Sequence, residues 1–391
     1  MKVLAVAHNA DFSGGANRSL YTVIKLLKNS FNIEFTVILP SRKGALIDAL
    51  KKIGVETIAV PYYGVIASLG NKKTDILKKI KVNFGYYNER FQAWYIGKRL
   101  DMKQFDLIYT NTRLPILGAF IAKNNSLPHI CHVREFGPER PYWPKWDSRQ
   151  LCEKSDTVIA ISESIKKSLT DKTSSTNIVT VYNGIDSPMN LECHYCPENG
   201  KYNILITGRL VKDKGQEDAV RAVGMLVEKG YSGINLYLAG SAPDRALAES
   251  NLQDLKRLVA KFGIDSQVHF LGEVSDMTKL RDNMDCELMC AVKEAFGRVT
   301  VEAMRSNLLV IGSASGGTTE IINDGVNGIL YRQGDSNDLA SKIEWAINHF
   351  EGAKIIADNG YIFGQSHFTA EKNASEIYEI FCKTVRKMTQ I

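Results

Sequence analysis

Short apolar runs alternate along this chain with longer stretches whose apolar residues recur at helical spacing. In the first half the runs are Val3–Ala7, Phe35–Leu39, Thr57–Val60, Leu107–Thr110, His129–His132 and Val158–Ile161, and each reads as a strand. Helical patterns such as Arg18–Leu27 and Leu46–Lys52 lie between most of them. The pattern restarts at Asn203–Thr207, Asn235–Ala239, Val268–Leu271, Cys286–Cys290 and Leu309–Gly312. Strands alternating with helices predict a doubly wound parallel sheet, here twice over. Between the halves Ser187–Gly200 is rich in Pro, Asn and Cys, lacks periodicity, and reads as a linker. The predicted architecture is α/β, with Rossmann-like domains over 1–186 and 187–369. They are expected to face across a cleft into which the loops at the strands' carboxyl ends project. The segment 370–391 is expected as a helix, from the amphipathic run Ala370–Met388; a return to the first domain is one option for its docking.

Composition narrows the class. At 391 residues and 44% hydrophobic, the chain has enough material for two globular cores. No apolar run approaches the roughly 18 residues of a membrane span. Met1–Ala7 leads straight into a polar, Gly-containing loop, so it reads as a first strand and not as a secretory signal. A cytoplasmic protein is expected. Seven cysteines do not suggest a disulfide framework in a chain of this length. Cys286 and Cys290 lie an even number apart in a strand-like run and should share a buried face. Cys193-His-Tyr-Cys196 has CxxC spacing but no second pair, so no metal site is expected.

The densest chemistry lies in E-A-F-G-R-V-T-V-E, Glu294 to Glu302. It follows the apolar run Leu288–Val292, and Gly297 opens a predicted helix Arg298–Arg305. One carboxylate therefore sits on a loop above a sheet edge and the other about a turn inside the helix. Amides at the helix start favour an anion, while the carboxylates suit hydroxyl groups. A sugar nucleotide offers both. Two surface acids flanking a helix start fit the same spacing.

Other anion-binding candidates fall on equivalent loops. Gly14 and Gly15 precede the first helix, where they would let a ligand approach the backbone. T-G-R-L-V-K-D-K-G places Arg209 and Lys214 just beyond the strand Asn203–Thr207, where two cations would clamp a diphosphate or simply form a solvated turn. S-A-S-G-G-T-T-E puts Gly316 and Gly317 ahead of a predicted helix Thr318–Ile322, as an amide cradle or a plain turn. A nicotinamide-binding G-x-G-x-x-G is absent and the second strand ends Leu39-Pro40-Ser41-Arg42, which sets a dehydrogenase aside.

Taken together, Gly14-Gly15, H-V-R-E-F at 132–136, N-G-I-D at 183–186, G-R-L-V-K-D-K-G at 208–215, E-A-F-G-R-V-T-V-E-A-M at 294–304 and S-G-G-T-T-E at 315–320 resemble a family 4 retaining glycosyltransferase of type B fold. The paired-glutamate element is the most specific of these. The resemblance implies that Glu302 binds the nucleotide ribose and that Arg209 and Lys214 neutralise the diphosphate. It implies that Glu294 and the amides of Phe296 and Gly297 hold the donor hexose, with His132 beside the transferred sugar. Arg298, Val299, Gly14 and Gly15 complete the donor-binding set. Leu309 departs from the Pro common in relatives.

That resemblance implies transfer of a hexose-type sugar from a nucleoside-diphosphate sugar, UDP favoured, in bacterial cell-surface polysaccharide synthesis. The chain has no D-x-D, so no metal and no cofactor are expected; the clamp would be Arg209, Lys214 and helix termini. Relatives retain anomeric configuration, commonly by front-face attack. The acceptor would be a glycan or a polyprenyl-diphosphate-linked sugar. Asn71–Gln104 carries nine Lys or Arg against Asp75, Glu89 and Asp101, a net +6 equal to that of the whole chain. Interleaved with Tyr86, Tyr87, Phe91, Trp94 and Tyr95, these charges suit either an anionic membrane surface or a solvated face with its aromatics turned inward. No nucleic-acid motif accompanies them. Trp143 and Trp146 would stack on an acceptor sugar or anchor their loop. A nucleotide-sugar epimerase and a non-catalytic nucleotide-sugar-binding subunit are the alternatives.

Overall fold

The computed structural model describes the chain except residues 13, 63, 65–66, 69–71, 138–140, 143–145, 187–199, 242–244 and 390–391. The side chains of 67–68, 72–74, 141, 245–248 and 388–389 are likewise outside the description. The expected linker therefore lies almost wholly beyond the described residues, with Cys193, Cys196 and Trp143. The chain divides into two compact units, residues 1–184 with 370–391, and residues 185–369.

The first unit is built on strands β1 (Lys2–Val6), β2 (Glu34–Leu39), β3 (Glu56–Ala59), β5 (Leu107–Asn111), β6 (His129–Val133), β8 (Thr157–Ala160) and β9 (Ile178–Thr180), all parallel, in the order β3-β2-β1-β5-β6-β8-β9. Two further short strands, β4 (Ala67–Ser68) and β7 (Pro141–Tyr142), pair antiparallel. Val3 to Val6 are all buried, as a parallel strand covered by helices on both faces requires. The helices are α1 (Gly15–Phe31), α2 (Ala45–Lys52), α3 (Lys72–Arg99), α4 (Leu117–Asn125), α5 (Ser148–Glu153) and α6 (Glu163–Thr170). Side chains set several of their starts. Asp147 forms a capping box with Gln150 at α5, and Ser162 accepts from the Ile165 amide at α6. The C-terminal helix Ala370–Thr389 belongs to this unit. Tyr378 stacks on Phe31 with centroids 4.2 Å apart, and Ala374, Ile377 and Phe381 enter the core beside Leu20 and Val23.

The second unit repeats the scheme with β10 (Tyr202–Thr207), β11 (Ile234–Ala239), β12 (Val268–Gly272), β13 (Cys286–Met289), β14 (Leu309–Ser313) and β15 (Ile329–Tyr331). Its order is β12-β11-β10-β13-β14-β15, again parallel throughout. The helices are α7 (Gln216–Glu228), α8 (Arg245–Phe262), α9 (Met277–Arg281), α10 (Arg298–Met304), α11 (Thr318–Ile321), α12 (Ser336–Asn348) and α13 (Phe350–His367). Cys286 and Cys290 are both buried in one core cluster with Leu288, as their spacing predicts. Among the described residues no helix is long and apolar enough to cross a membrane. Strands β9 and β15 were not anticipated from the pattern; each has three residues, too few to show a period.

Candidate functional site

In the second unit the strand order reverses between β10 and β13, which run side by side with Ile206 opposite Leu288. Loops leaving such neighbours start together, whatever their distance in sequence. Lys214 on the first loop and Glu294 on the second meet there, Nζ to Oε2 at 2.6 Å. The loops are also tied through the backbone. The Val292 amide donates to the Asp213 carbonyl at 2.9 Å. Gly215, at φ +68°, presses so closely on Cys290 that any Cβ would strike its carbonyl oxygen. Lys214 and Glu294 are each about one quarter exposed (25% and 26%). The pair is half-buried, so solvent screens it only in part, and both charges remain within reach of a ligand.

Glu302 lies on α10 and is held from two sides. Arg298 Nη2 approaches Oε1 at 3.5 Å, and Arg281 Nη2 approaches Oε2 at 3.4 Å. Arg281, at the end of α9, is buried, and its Nε donates to Glu287 Oε2 at 2.8 Å from within β13. Burial alone would lower the Arg281 pKa, but the carboxylates of Glu287 and Glu302 hold it above its ordinary value. The guanidinium is thus a fixed cation that links the sheet to the helix carrying Glu302. Phe296 points into the core against Phe368, with centroids 5.3 Å apart, which leaves only its backbone for a ligand. Gly297 takes φ +104° at the start of α10, and Arg298, Val299 and Glu294 are half-buried around it.

The Gly316–Gly317 loop packs on the loop that carries Glu294. The Gly317 amide donates to the Glu294 carbonyl at 2.8 Å, and a Cβ on either glycine would strike the backbone of Glu294 or Phe296. These glycines exist so that one loop can lie flat on the other. Arg209 is exposed, its carbonyl accepts from Gln216 Nε2 at 2.9 Å, and no ion pair forms on it among the described residues.

The first unit gathers a second polar cluster at the ends of β1, β5 and β6. His132 is fully buried. Its Nδ1 lies 2.6 Å from the Tyr109 hydroxyl and 3.3 Å from Arg134 Nη2. A guanidinium only donates, so Nδ1 accepts and the ring proton belongs on Nε2, which has no hydrogen-bond partner among the described residues. Burial and then the Arg134 charge hold the His132 pKa well below its ordinary range, so the ring is neutral. The same two causes lower His8 to about 4. Arg134 is itself buried and is fixed by Asn111 Oδ1 at 2.5 Å and Asn183 Oδ1 at 2.6 Å, with no carboxylate at ion-pair distance among the described residues. Gly14 and Gly15 are exposed at the start of α1, which has no capping side chain and no acid in its first turn. Tyr109, Arg134, Arg281 and Glu287 were not singled out in the sequence. The available signals were Arg134 two residues beyond His132, hence on the same side of the strand, and a carboxylate inside the apolar run Cys286–Met289.

Residues 13–187 match the sequence profile of Glycosyltransferase Family 4, and residues 197–363 that of Glycosyl transferases group 1. The chain belongs to this glycosyltransferase family. It is 27% identical over 242 residues to the capsular polysaccharide biosynthesis glycosyltransferase CapM of Staphylococcus aureus, covering 58% of this chain and 62% of CapM. It is 26% identical over 302 residues to the N-acetyl-alpha-D-glucosaminyl L-malate synthase of Bacillus anthracis, covering 75% of this chain and 71% of that enzyme. The Anabaena HepE crystal structure in complex with UDP and glucose superposes with a TM-score of 0.75 over 98% of this chain and 99% of its own, at 21% identity. The two parallel-sheet units are those of the type B glycosyltransferase fold. As a family member, the protein is a glycosyltransferase related to enzymes of capsular polysaccharide synthesis.

Proposed function

We propose that this glycosyltransferase moves a hexose from a nucleoside-diphosphate sugar, a UDP-sugar by preference, to a glycan or lipid-linked acceptor with retention of configuration. The observation that carries the reading is the Lys214–Glu294 pair at the strand reversal of the second unit, a cation and a carboxylate presented together above one sheet edge. The HepE complex with UDP and glucose and the kinship with CapM support a nucleotide-sugar donor and a cell-surface glycan product.

On this reading Lys214 and Arg209 meet the diphosphate, Glu302 accepts from the ribose hydroxyls, and Glu294 with the Phe296 and Gly297 amides orients the hexose. Arg298 and Val299 complete the donor contacts, and Gly14 and Gly15 supply backbone amides at the start of α1. His132 offers a neutral Nε2–H to a hydroxyl of the transferred sugar. In the chemical step the bond from the anomeric carbon to the diphosphate oxygen breaks, and the acceptor oxygen bonds to that carbon on the same face. The acceptor proton passes to the leaving diphosphate. Fixed cations and amides stabilise the charge that develops on it, without a metal.

A thermal-shift screen against UDP-, GDP- and ADP-sugars tests the donor class. A UDP-sugar is expected to raise Tm the most, and no shift with any nucleotide sugar would overturn the reading. Turnover is expected to persist in excess chelator. Loss that magnesium or manganese restores would replace the protein clamp with a metal.

A further inference from the structure

Helix α3 is apolar on two faces. Val82, Gly85, Glu89, Ala93 and Ile96 are buried at spacings of three and four, and this face packs on α4. Glu89 points inward with them and accepts from the amides of Ile116 and Leu117, at 2.7 and 2.9 Å, which opens α4. The opposite face carries Leu77, Ile80, Phe84, Tyr87, Phe91 and Trp94, again three and four residues apart, and each is more than half exposed. Of the aromatics expected either inside or outside, Tyr86 is half-buried against Phe120, whereas Tyr87, Phe91, Trp94 and Tyr95 are exposed; Phe84, not singled out in the sequence, is exposed as well. Large apolar side chains at 53–70% exposure along one continuous stripe mark a docking surface, because isolated surface apolar groups do not line up.

Charge selects the occupant. Lys79, Lys81, Arg90, Lys98 and Arg99 are exposed around the stripe. Of the helix's two acids, Glu89 is buried and Asp75 lies at the far end beside Lys78. Spacing of three and four also suits a coiled-coil seam with a second copy of the chain. In that seam, however, Lys81 and Arg90 flank the stripe with no acid to oppose them, and the core would be aromatic where helix pairing favours branched aliphatics. An anionic lipid surface satisfies both features, since aromatic rings settle at the headgroup level and Lys and Arg meet lipid phosphates. Arg90 and Lys123 also stand at a cavity of about 480 Å³ lined by Phe91, Trp94 and Phe120. Arg90 lies over the Phe120 ring at 5.4 Å, so cationic and aromatic groups stand together there, the pairing that a phospholipid headgroup and its first methylenes would meet.

We propose that the outer face of α3 docks this protein on an anionic phospholipid bilayer, with the stripe from Leu77 to Trp94 lying in the headgroup layer. This deepens the proposed lipid-linked acceptor and rests on that reading for its purpose, though not for its geometry. The test is co-sedimentation of the full chain with vesicles of phosphatidylcholine alone, or of phosphatidylcholine with phosphatidylglycerol. The variants are Phe84→Ser/Phe91→Ser/Trp94→Ser and Lys81→Glu/Lys98→Glu. All five side chains are exposed, so melting temperatures should match the wild type.

The wild type is expected to sediment with the anionic vesicles and not with the neutral ones, and salt should release it. Each variant should partition at least about tenfold less. A wild type that ignores anionic vesicles, or a triple Ser variant that still binds them, overturns the proposal. So does a solution dimer that the triple Ser variant dissolves, which would assign the stripe to a second copy. Affinity for a UDP-sugar, measured on the same samples, separates the two readings. Donor binding without vesicle binding removes the docking surface alone, and the converse removes the donor assignment alone.

Discussion

Lys214 and Glu294 answer each other across the two loops, and each keeps about a quarter of its side chain exposed. Lys214→Ala should leave the melting temperature almost unchanged. It should weaken UDP-sugar affinity about tenfold to a hundredfold, the equivalent of one charge-assisted contact of roughly 1.5–3 kcal/mol. Unchanged affinity in a calorimetric titration would take Lys214 out of the site. His132 is a different kind of residue, one whose ring is held neutral at ordinary pH. Burial and Arg134 both disfavour its charged form, so its pKa lies below 6.5 and the neutral ring persists as pH falls. Nitrogen NMR of the imidazole should show a protonated Nε2 and a bare Nδ1 at neutral pH and still at about pH 6.5, where an ordinary imidazole is half-charged. A ring that titrates near 6.5, or carries its proton on Nδ1, would contradict the tautomer set by Tyr109 and Arg134.

Among elements, α9, β13 and α10 act together through Arg281. Removing that side chain leaves Glu287 as a buried carboxylate without its cation and frees one side of Glu302. Arg281→Ala should cost roughly 3–5 kcal/mol in a denaturant titration. A loss within about 0.5 kcal/mol, the range of an ordinary surface change, would mean the trio contributes nothing to the fold. How much of this was legible follows from periodicity. The long parallel strands and the helices after them stood out because their faces are uniformly buried. Helix α3 read only as a basic, aromatic stretch, since apolar residues on two faces erase any single helical stripe. The contact between Lys214 and Glu294 spans 80 residues and depends on strand order, which no local pattern records. Likewise S-G-G could be read as a phosphate cradle or as a turn, and its packing on Glu294 and Phe296 is a further role that no local pattern shows. Trp146 proved to be a buried anchor beside Phe120, with ring centroids 6.2 Å apart.

At the scale of the whole molecule, two parallel sheets each place their chemistry where the strand order reverses, and the two sites differ in character. The second unit offers a half-buried lysine–glutamate pair; the first offers a buried cation and a neutral imidazole. The most direct test is a calorimetric titration of Glu302→Gln against free UDP and against the UDP-sugar selected by the thermal-shift screen, beside the wild type. The substitution keeps the shape of the side chain and removes the anionic acceptor proposed for the ribose. Both ligands should therefore weaken by a similar factor, about tenfold or more. If only the sugar-bearing donor weakens, or neither does, the nucleotide does not sit against α10 and the donor site proposed for the second unit is wrong.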